Sequence, residues 1–489
     1  MLELLLQGFQ SVLGPVTLMV IVLGIVLGIL IGAMPGLSPS MGVALMLPFT
    51  YSLSPTLGLI LLLGIYIGSS YGGSITGIMV NAPGTPSAVV TAIDGYALTR
   101  QGRPAEALGT SIVASSVGGM FGTIILILFS VPLAAAAVRF HPAEYFAFAV
   151  FGMTTIMALA GERWLKALIA MVLGLIIASI GTDPISGADR GTFGIAELAD
   201  GFGLIPVLIG LFALAEVFHA IERGEFKTPR MMGVIDRWPS FSHYWKLKWV
   251  TLRSSAIGTV VGIFPGAGAT IGSFVSYGLA KRFSRQPETF GHGSPEGVTA
   301  AEAADSASVG GAMVPLLALG IPGSATTAVL IGAMMIHDLT PGPQLFIRDP
   351  GMIYSIFVAM LLGQLTLLGV GMAGGRLWVM VANVPKELLF VLITVLALVG
   401  SFAVRNSFFD VVTCFAFGVM GWLLKRQRYP LAPIILGLVL GGIAEINFRR
   451  AIMMDGPWIF LQRPVTVTLL AAALLFVLIP LYQRSRRHD

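Results

Sequence analysis

Residues 35–42 read PGLSPSMG, and residues 265–272 read PGAGATIG. The first closes the apolar run VTLMVIVLGIVLGILIGAM, and the second follows GTVVGIF. Proline removes a backbone donor and glycine adds backbone entropy, so both runs break where a bilayer would favour unbroken helix. Bare backbone groups at membrane depth are tolerated only inside protein or along a wet cavity. Both stretches therefore predict interrupted or re-entrant helices facing the interior of a membrane protein. NAPGTPSA (81–88) and IPGSATTA (321–328) predict the same.

The composition agrees. The 489 residues are 56% hydrophobic and 11% charged, with a mean hydropathy of +0.88. A soluble domain carries about 25% charged residues. Apolar runs near the length needed to cross a ~30 Å hydrocarbon core recur from end to end. They are continuous, whereas a closed barrel would show short alternating segments. The expected fold is an all-α polytopic membrane protein of about 10 to 13 membrane segments, at about 20 residues each. The net charge of +5 reports cytoplasmic loops, and no compact basic domain is present to bind nucleic acid. One cysteine, Cys414, excludes an internal disulfide and a cysteine metal cluster. No metal or organic cofactor is expected. The N-terminal segment MLELLLQGFQSVLG reads as retained and partly amphipathic.

The chain repeats itself. Gly28, Gly32, Pro35, Gly36 and Gly42 match Gly258, Gly262, Pro265, Gly266 and Gly272, each 230 positions on. GGSITGIMVNAPGTPSA (72–88) matches GGAMVPLLALGIPGSATTA (310–328), PAE (142–144) matches PKE (385–387), and LIPVLIGLFALAE (204–216) matches LAPIILGLVLGGIAE (431–445). Four matches in one order indicate duplication. The expected units are a first repeat (1–221), a basic linker (222–253) and a second repeat with an extra C-terminal helix (254–489). The linker holds seven Lys/Arg against three acids and is placed in the cytoplasm, as is the basic tail QRSRRHD. With those anchors, RQGR (100–103) and ERWLK (162–166) fall inside and the acidic loop 183–200 outside. Matched helices then run with opposite polarity, the mark of an inverted repeat. Arg449 and Arg450 fall outside and run against the charge rule.

A broken helix exposes the N-terminus of its second half, where free N–H groups and the positive dipole end favour an anion. Hydroxyls stand beside all four breaks. The candidate substrate-binding residues are Gly36, Ser38, Ser40, Asn81, Gly84, Thr85, Ser87, Gly266, Gly268, Thr270, Gly323, Ser324, Thr326 and Thr327. The inference is a small-carboxylate site between the halves. The alternative is local capping by each hydroxyl. Asp94, Asp338, Glu302 and Asp305 are candidates to handle a coupling ion, since charge within lipid is costly. Asp94 and Asp338 also fit interfacial turns, and Glu302 and Asp305 a solvated loop face. Gly24, Gly28 and Gly32 read as a helix-packing stripe. GSSYG (68–72) matches the serine-hydrolase elbow, which requires a strand–turn–helix context. An intramembrane serine enzyme using Ser70, a passive anion channel and a structural scaffold are thus the alternatives to a carrier.

GAMPGLSPSMGVALMLPFTY, YGGSITGIMVNAPGTPSAVVTAIDGYALTRQGRPAEALG and GGAMVPLLALGIPGSATTAVLIGAMMIHDLTPGP resemble the large membrane subunit of bacterial tripartite tricarboxylate transporters. The resemblance implies ion-coupled symport of a carboxylate across the bacterial inner membrane, driven by H⁺ or Na⁺. It also implies a small four-helix membrane subunit and a periplasmic substrate-binding protein as partners. By position, the family's signature blocks fall on Pro35–Ser40, Asn81–Ser87, Pro265–Thr270 and Pro322–Thr327. Where the family pattern has an amide after the EAA run, this chain has Asp305-Ser306.

Overall fold

The computed structural model describes residues 2–34, 37–159, 163–224, 238–265, 268–375 and 386–485. Gly36 and Gly266 therefore lie outside the described residues, as do residues 225–237 of the linker.

Helices follow one another almost without pause. They begin with α1 (Leu2–Val12), α2 (Pro15–Gly32), α3 (Pro39–Met46), α4 (Pro55–Val80), α5 (Ala88–Arg100), α6 (Pro104–Ala137), α7 (Pro142–Leu159) and α8 (Trp164–Ala178). A two-strand hairpin pairs β1 (Gly181–Thr182) with β2 (Asp189–Arg190) in the acidic loop. Then α9 (Leu204–Ile209) passes through a π turn (Gly210–Leu214) into α10 (Ala215–Glu222). The second half holds α11 (Phe241–Lys246), α12 (Lys248–Ile263), α13 (Gly268–Phe283), α14 (Pro295–Leu319), α15 (Ala325–Ile336), α16 (Pro343–Arg348) and α17 (Pro350–Ala373). It ends with α18 (Lys386–Arg405), α19 (Phe408–Arg426), α20 (Ala432–Asp455), α21 (Ile459–Gln462) and α22 (Pro464–Ser485). Among the described residues, eight helical stretches are long and apolar enough to cross a membrane. The chain is an all-α, multi-pass membrane protein.

Two helices occupy the centre. α4 is buried from Gly58 to Met79, and α14 from Gly297 to Leu319. Glu302 and Asp305 lie on α14, 0% and 3% exposed, so the solvated-loop reading of EGVTAAEAADSASVGG is corrected. The segment is too polar to face lipid, and protein surrounds it instead. Its alanines and serines let neighbours close in. Gly258 and Gly262 on α12 face Ala304 and Ser308, while Gly118 and Gly122 on α6 face Ala303 and Ala307. The stripe Gly24, Gly28, Gly32 on α2 likewise faces Leu61, Ile65 and Ser69 on α4. Small residues at such steps let helix backbones approach and gain dispersion contacts.

The ends of the central pair are built alike. Each begins with a Ser-Pro cap, Ser54 accepting from the Leu57 amide (3.5 Å) and Ser294 from that of Gly297 (3.3 Å). Each ends on a left-handed residue, Asn81 (φ 54°) and Gly320 (φ 73°). Past those residues the chain folds back on itself: Asn81 and Ala82 N–H bond to Gly77 and Thr76 carbonyls, and Gly320 and Ile321 N–H to Leu316 and Pro315. This paired closure satisfies the last carbonyls of each helix.

The order of contacts gives direction. Ascending positions on α2 meet ascending positions on α4, so these run parallel, and so do α12 and α14. Between α4 and α14 the order reverses. Ser74, late in α4, bonds to Glu302, early in α14. Leu59 and Leu63, early in α4, meet Met313, Leu316 and Leu317, late in α14. The two central helices cross antiparallel.

Charges gather at two ends. At one, Lys425 pairs with Glu216, Arg426 with Glu222 (3.2 Å), and Lys166 Nζ donates to the Gln427 carbonyl (2.6 Å). At the other, Arg449 Nη1 donates to both Asp183 oxygens (2.9 and 2.8 Å), while Arg190 pairs with Asp183 and with Glu445 (2.7 Å). Arg449 is therefore neutralised by the acidic loop.

Asp183 ties that loop to α20. The Ser186 hydroxyl, the Arg449 guanidinium and the Ile185 N–H hold its carboxyl well below the usual carboxylate range. A lowered pKa stabilises the fold above the unfolded value, about 4, and the contribution is lost only as pH falls through the folded value. Asp183→Asn is expected to lower the melting temperature by an amount constant from pH 8 to pH 5, shrinking only below about 4. A difference that vanishes by pH 6 in parallel thermal melts would contradict this account of the loop.

Candidate functional site

The polar loops are set against the central helices by close contact. Only glycine fits at position 84, where a Cβ would stand 2.9 Å from the Gly73 Cα of α4 and collide with the Gly32 carbonyl of α2. A Cβ at Gly323 would stand 2.7 Å from the Ala312 Cα of α14. Gly84 and Gly323 are 239 positions apart, as are Gly72 and Gly311.

Much of the hydroxyl chemistry at the breaks is capping. Ser38 accepts from the Met41 amide (3.3 Å) and bonds to Ser40 (2.9 Å) at the start of α3. Thr85 accepts from the Ala88 amide (3.2 Å) at the start of α5 and bonds to Ser87 (3.1 Å). Ser324 and Thr327 form a reciprocal capping box on α15, with bonds of 3.1 and 2.7 Å. Such boxes satisfy two of the free N–H groups at a helix start.

Beyond capping, the loops reach across the halves. The Tyr66 hydroxyl, on α4, bonds to Ser324 of the second-half loop (3.2 Å) and faces Thr326. The Asp305 carboxyl, on α14, faces Ser87 of the first-half loop. Tyr66 and Asp305 are also 239 positions apart. They occupy matched places on the antiparallel pair, each turned toward the other half's loop, with Asp305 within electrostatic reach of Tyr66. Ser87, Ser324, Thr326, Tyr66 and Asp305 thus converge at one crossing.

One turn before Asp305, Glu302 lies fully buried. It accepts from Ser74 on α4, Thr91 on α5 (2.5 Å) and Ser115 on α6 (2.6 Å). No lysine or arginine pairs with Glu302 or Asp305 among the described residues.

The remaining candidates sit elsewhere. Asp94 is within α5 and fully buried, which corrects the reading of AIDGYALT as a turn. Its Oδ1 accepts from Gly291, Gly293 and Ser294 amides (2.8–2.9 Å), and its Oδ2 from the Tyr277 hydroxyl (2.8 Å). It anchors the loop that starts α14. Asp338 occupies a left-handed turn after α15 (φ 55°), as the sequence suggests. Gly268 packs on Gly262 at the start of α13, and Thr270 is half-buried there. Asn81 is exposed at its cap. Ser70 lies in mid-helix on α4, which is not the strand–turn–helix context an elbow nucleophile needs.

A cavity of about 820 Å³ opens beside the acidic loop. Asp200, Phe202, Asp338, Thr340 and Asn447 line it, and it reaches Gly320 at the end of α14. The loop carrying Ser324 starts at that point.

Sequence reasoning missed Tyr66, Ser74, Thr91 and Ser115. Tyr66 was findable, because the 239-residue spacing that superposes the Pro-Gly loops also superposes Tyr66 on Asp305. The three hydroxyls around Glu302 come from separate helices and carry no local signal.

Buried acids and interrupted helices thus stand at the centre of a many-helix membrane protein. The chain belongs to the tripartite tricarboxylate transporter TctA family, whose model matches residues 18–436. It is thus a component of a tricarboxylate transporter. It is 36% identical over 484 residues to an uncharacterised 52.8 kDa protein of the TAR-I ttuC′ 3′ region of Agrobacterium vitis, covering 98% of this chain and 96% of that one. It is 34% identical over 234 residues to an uncharacterised protein of the TAR-II ttuC′ 3′ region of the same organism, covering 47% of this chain and 97% of that one. No solved structure matches it.

Proposed function

We propose that this chain is the large membrane subunit of an ion-coupled symporter that imports a di- or tricarboxylate across the bacterial inner membrane. It would work with a small four-helix membrane subunit and a periplasmic binding protein, as the word tripartite in the family's description supports. The observation that carries the reading is the exchange at the crossing: Tyr66 to Ser324, and Asp305 to Ser87. The N-termini of α5 and α15 bring hydroxyls and the positive ends of two helix dipoles to that place, and an anionic carboxylate is what such ends attract.

The matched caps and glycine contacts, with the antiparallel crossing of α4 and α14, support an inverted repeat. Two related halves around a shared site permit rocking between inward-open and outward-open states. The cavity beside the acidic loop is the entry on one side.

Asp305 supports coupling. A substrate carboxylate bound about 6 Å from an ionised Asp305 would be repelled by about 3 kcal/mol at an effective dielectric of 20. A cation or proton taken up with the substrate removes that cost. Each ligand then favours the other by the same free energy.

A panel of mono-, di- and tricarboxylates, each melted with the purified protein with and without Na⁺ and across pH, tests the reading. A di- or tricarboxylate in 100-fold excess over its Kd stabilises the folded state by about 2.7 kcal/mol. A panel in which none raises the melting temperature would contradict a carboxylate site in this subunit. Accumulation above the external concentration, abolished by an uncoupler, separates the symporter from a passive channel.

A further inference from the structure

Six cations gather where α12 begins and α13 ends: Lys246, Lys248, Arg253, Lys281, Arg282 and Arg285. The two helices meet there, with the Arg253 guanidinium of α12 lying 4.9 Å from the centre of the Phe283 ring of α13. None of the six forms an ion pair among the described residues. The sequence itself holds no aspartate or glutamate from 241 to 287. Elsewhere the chain neutralises its own cations. Lys425, Arg426, Arg449 and Arg463 each meet a carboxylate. A patch of one sign without counter-charge repels itself and attracts an anion from outside the chain.

The same surface is aromatic. Phe241, Trp245, Trp249 and Phe283 are each more than half exposed. Phe241 stacks on Trp245 (6.0 Å between centroids). Lys248 Nζ stands 4.0 Å from the centre of the Trp245 ring and 5.9 Å from that of Trp249. Ring faces position a cation in this way without cancelling its charge. Exposed indoles beside lysine and arginine are what the headgroup level of a bilayer selects.

Further along the helices the exposed chains turn apolar. Leu252, Ala256 and Val260 follow one another at four-residue steps on the outer face of α12. Phe274 and Gly278 are exposed on α13, and nothing stands within 4 Å of a Cβ at Gly278. A soluble anion would account for the cations alone. Cations, then indoles, then two turns of exposed hydrocarbon match a molecule with a charged head and an acyl tail.

We propose that this corner of the protein binds an anionic phospholipid. Its phosphate meets the cation cluster, foremost Lys248 and Arg253, whose charged ends already lie against aromatic rings. Its acyl chains run along the Leu252–Ala256–Val260 face. The proposal does not depend on what the carrier transports. It has a consequence for the centre of the fold, because Gly258 and Gly262 of α12 pack on α14. A lipid that fixes the start of α12 also steadies the helix that carries Glu302 and Asp305.

The test uses the purified full chain in neutral detergent, mixed with equal amounts of phosphatidylglycerol and phosphatidylcholine, and counts retained lipids by native mass spectrometry. The wild type is expected to prefer phosphatidylglycerol at least about tenfold, and K248Q/R253Q to retain the two lipids about equally, since each cation near an anionic headgroup is worth roughly a factor of five. R103Q/R426Q removes the same charge from two exposed pairs, with Glu106 and Glu222, whose loss costs folding little, and is expected to keep the preference. Inorganic phosphate and glycerol 3-phosphate are not expected to displace the lipid, a reading that needs the wild type alone. Equal retention of both lipids by the wild type, a preference that survives in K248Q/R253Q, an equal loss in R103Q/R426Q, or displacement by inorganic phosphate would each overturn the proposal.

Discussion

Gly258→Leu is expected to leave almost no folded protein in the membrane. A Cβ at that position would stand 2.5 Å from the Ala304 Cα and press on the Ala304 carbonyl. Those are backbone atoms of α14, so no rotamer change relieves the clash. Overpacking a well-fitted interior costs about 1–3 kcal/mol per site where side chains can adjust. Forcing two helix backbones apart costs more, against a total stability of about 5–15 kcal/mol. The damage would also spread, because α14 carries Glu302 and Asp305 and is held by α6 on another face. Gly369→Ala, on α17, is the control. Nothing stands within 4 Å of a Cβ there. Alanine is preferred over glycine inside a helix by about 0.8–1.0 kcal/mol, so this variant should melt at the same or a higher temperature. Yield and melting curves of the two variants in detergent provide the comparison. Equal stability would mean that α12 and α14 do not touch as described.

Ser87→Leu and Thr326→Leu are each expected to reduce carboxylate uptake at least about 100-fold while the protein still inserts and melts cooperatively. Ser87 faces Asp305, and Thr326 faces Tyr66, so both side chains border the same crossing. Leucine there would replace a donor by hydrocarbon and fill the space a carboxylate needs. A bound group displaced by about 1 Å can lose 100-fold in rate. Thr270→Val is the contrast. Thr270 also follows a Pro-Gly break, but it lies at the start of α13 and bonds to none of the crossing residues described. Uptake by that variant should stay within about twofold of the wild type, since the substitution removes no hydrogen bond to the crossing residues. A comparable loss at Thr270, or normal kinetics in both leucine variants, would move the site away from the crossing.

How far the sequence reaches can be judged from particular segments. The Pro-Gly breaks were legible because proline and glycine act locally, whatever surrounds them. The expectation of a repeat rests on the same breaks, which recur 230 and 239 positions on. α14 was not. Hydropathy looks for side chains that suit lipid, and a helix enclosed by protein on every side needs small residues instead. EGVTAAEAADSASVGG therefore resembles a loop by polarity while meeting every demand of close packing. Asp94 was misplaced for a related reason. Asp-Gly favours turns in isolation, yet here three loop amides and a tyrosine hydroxyl repay the burial of the carboxylate within α5. The charge rule counts Arg449 singly, while Asp183 and Glu445 neutralise it in space. The cage around Glu302 was beyond reach, since Ser74, Thr91 and Ser115 meet through tertiary packing alone.

The most direct measurement is a cryo-EM map of the chain with its partner subunits, bound to whichever carboxylate stabilises it. The account places the ligand's carboxylate at the crossing, within hydrogen-bonding distance of Ser87 and of Ser324 or Thr326. Ligand density confined to the cavity lined by Asp200, Asp338 and Asn447, with the crossing closed and empty, would contradict it.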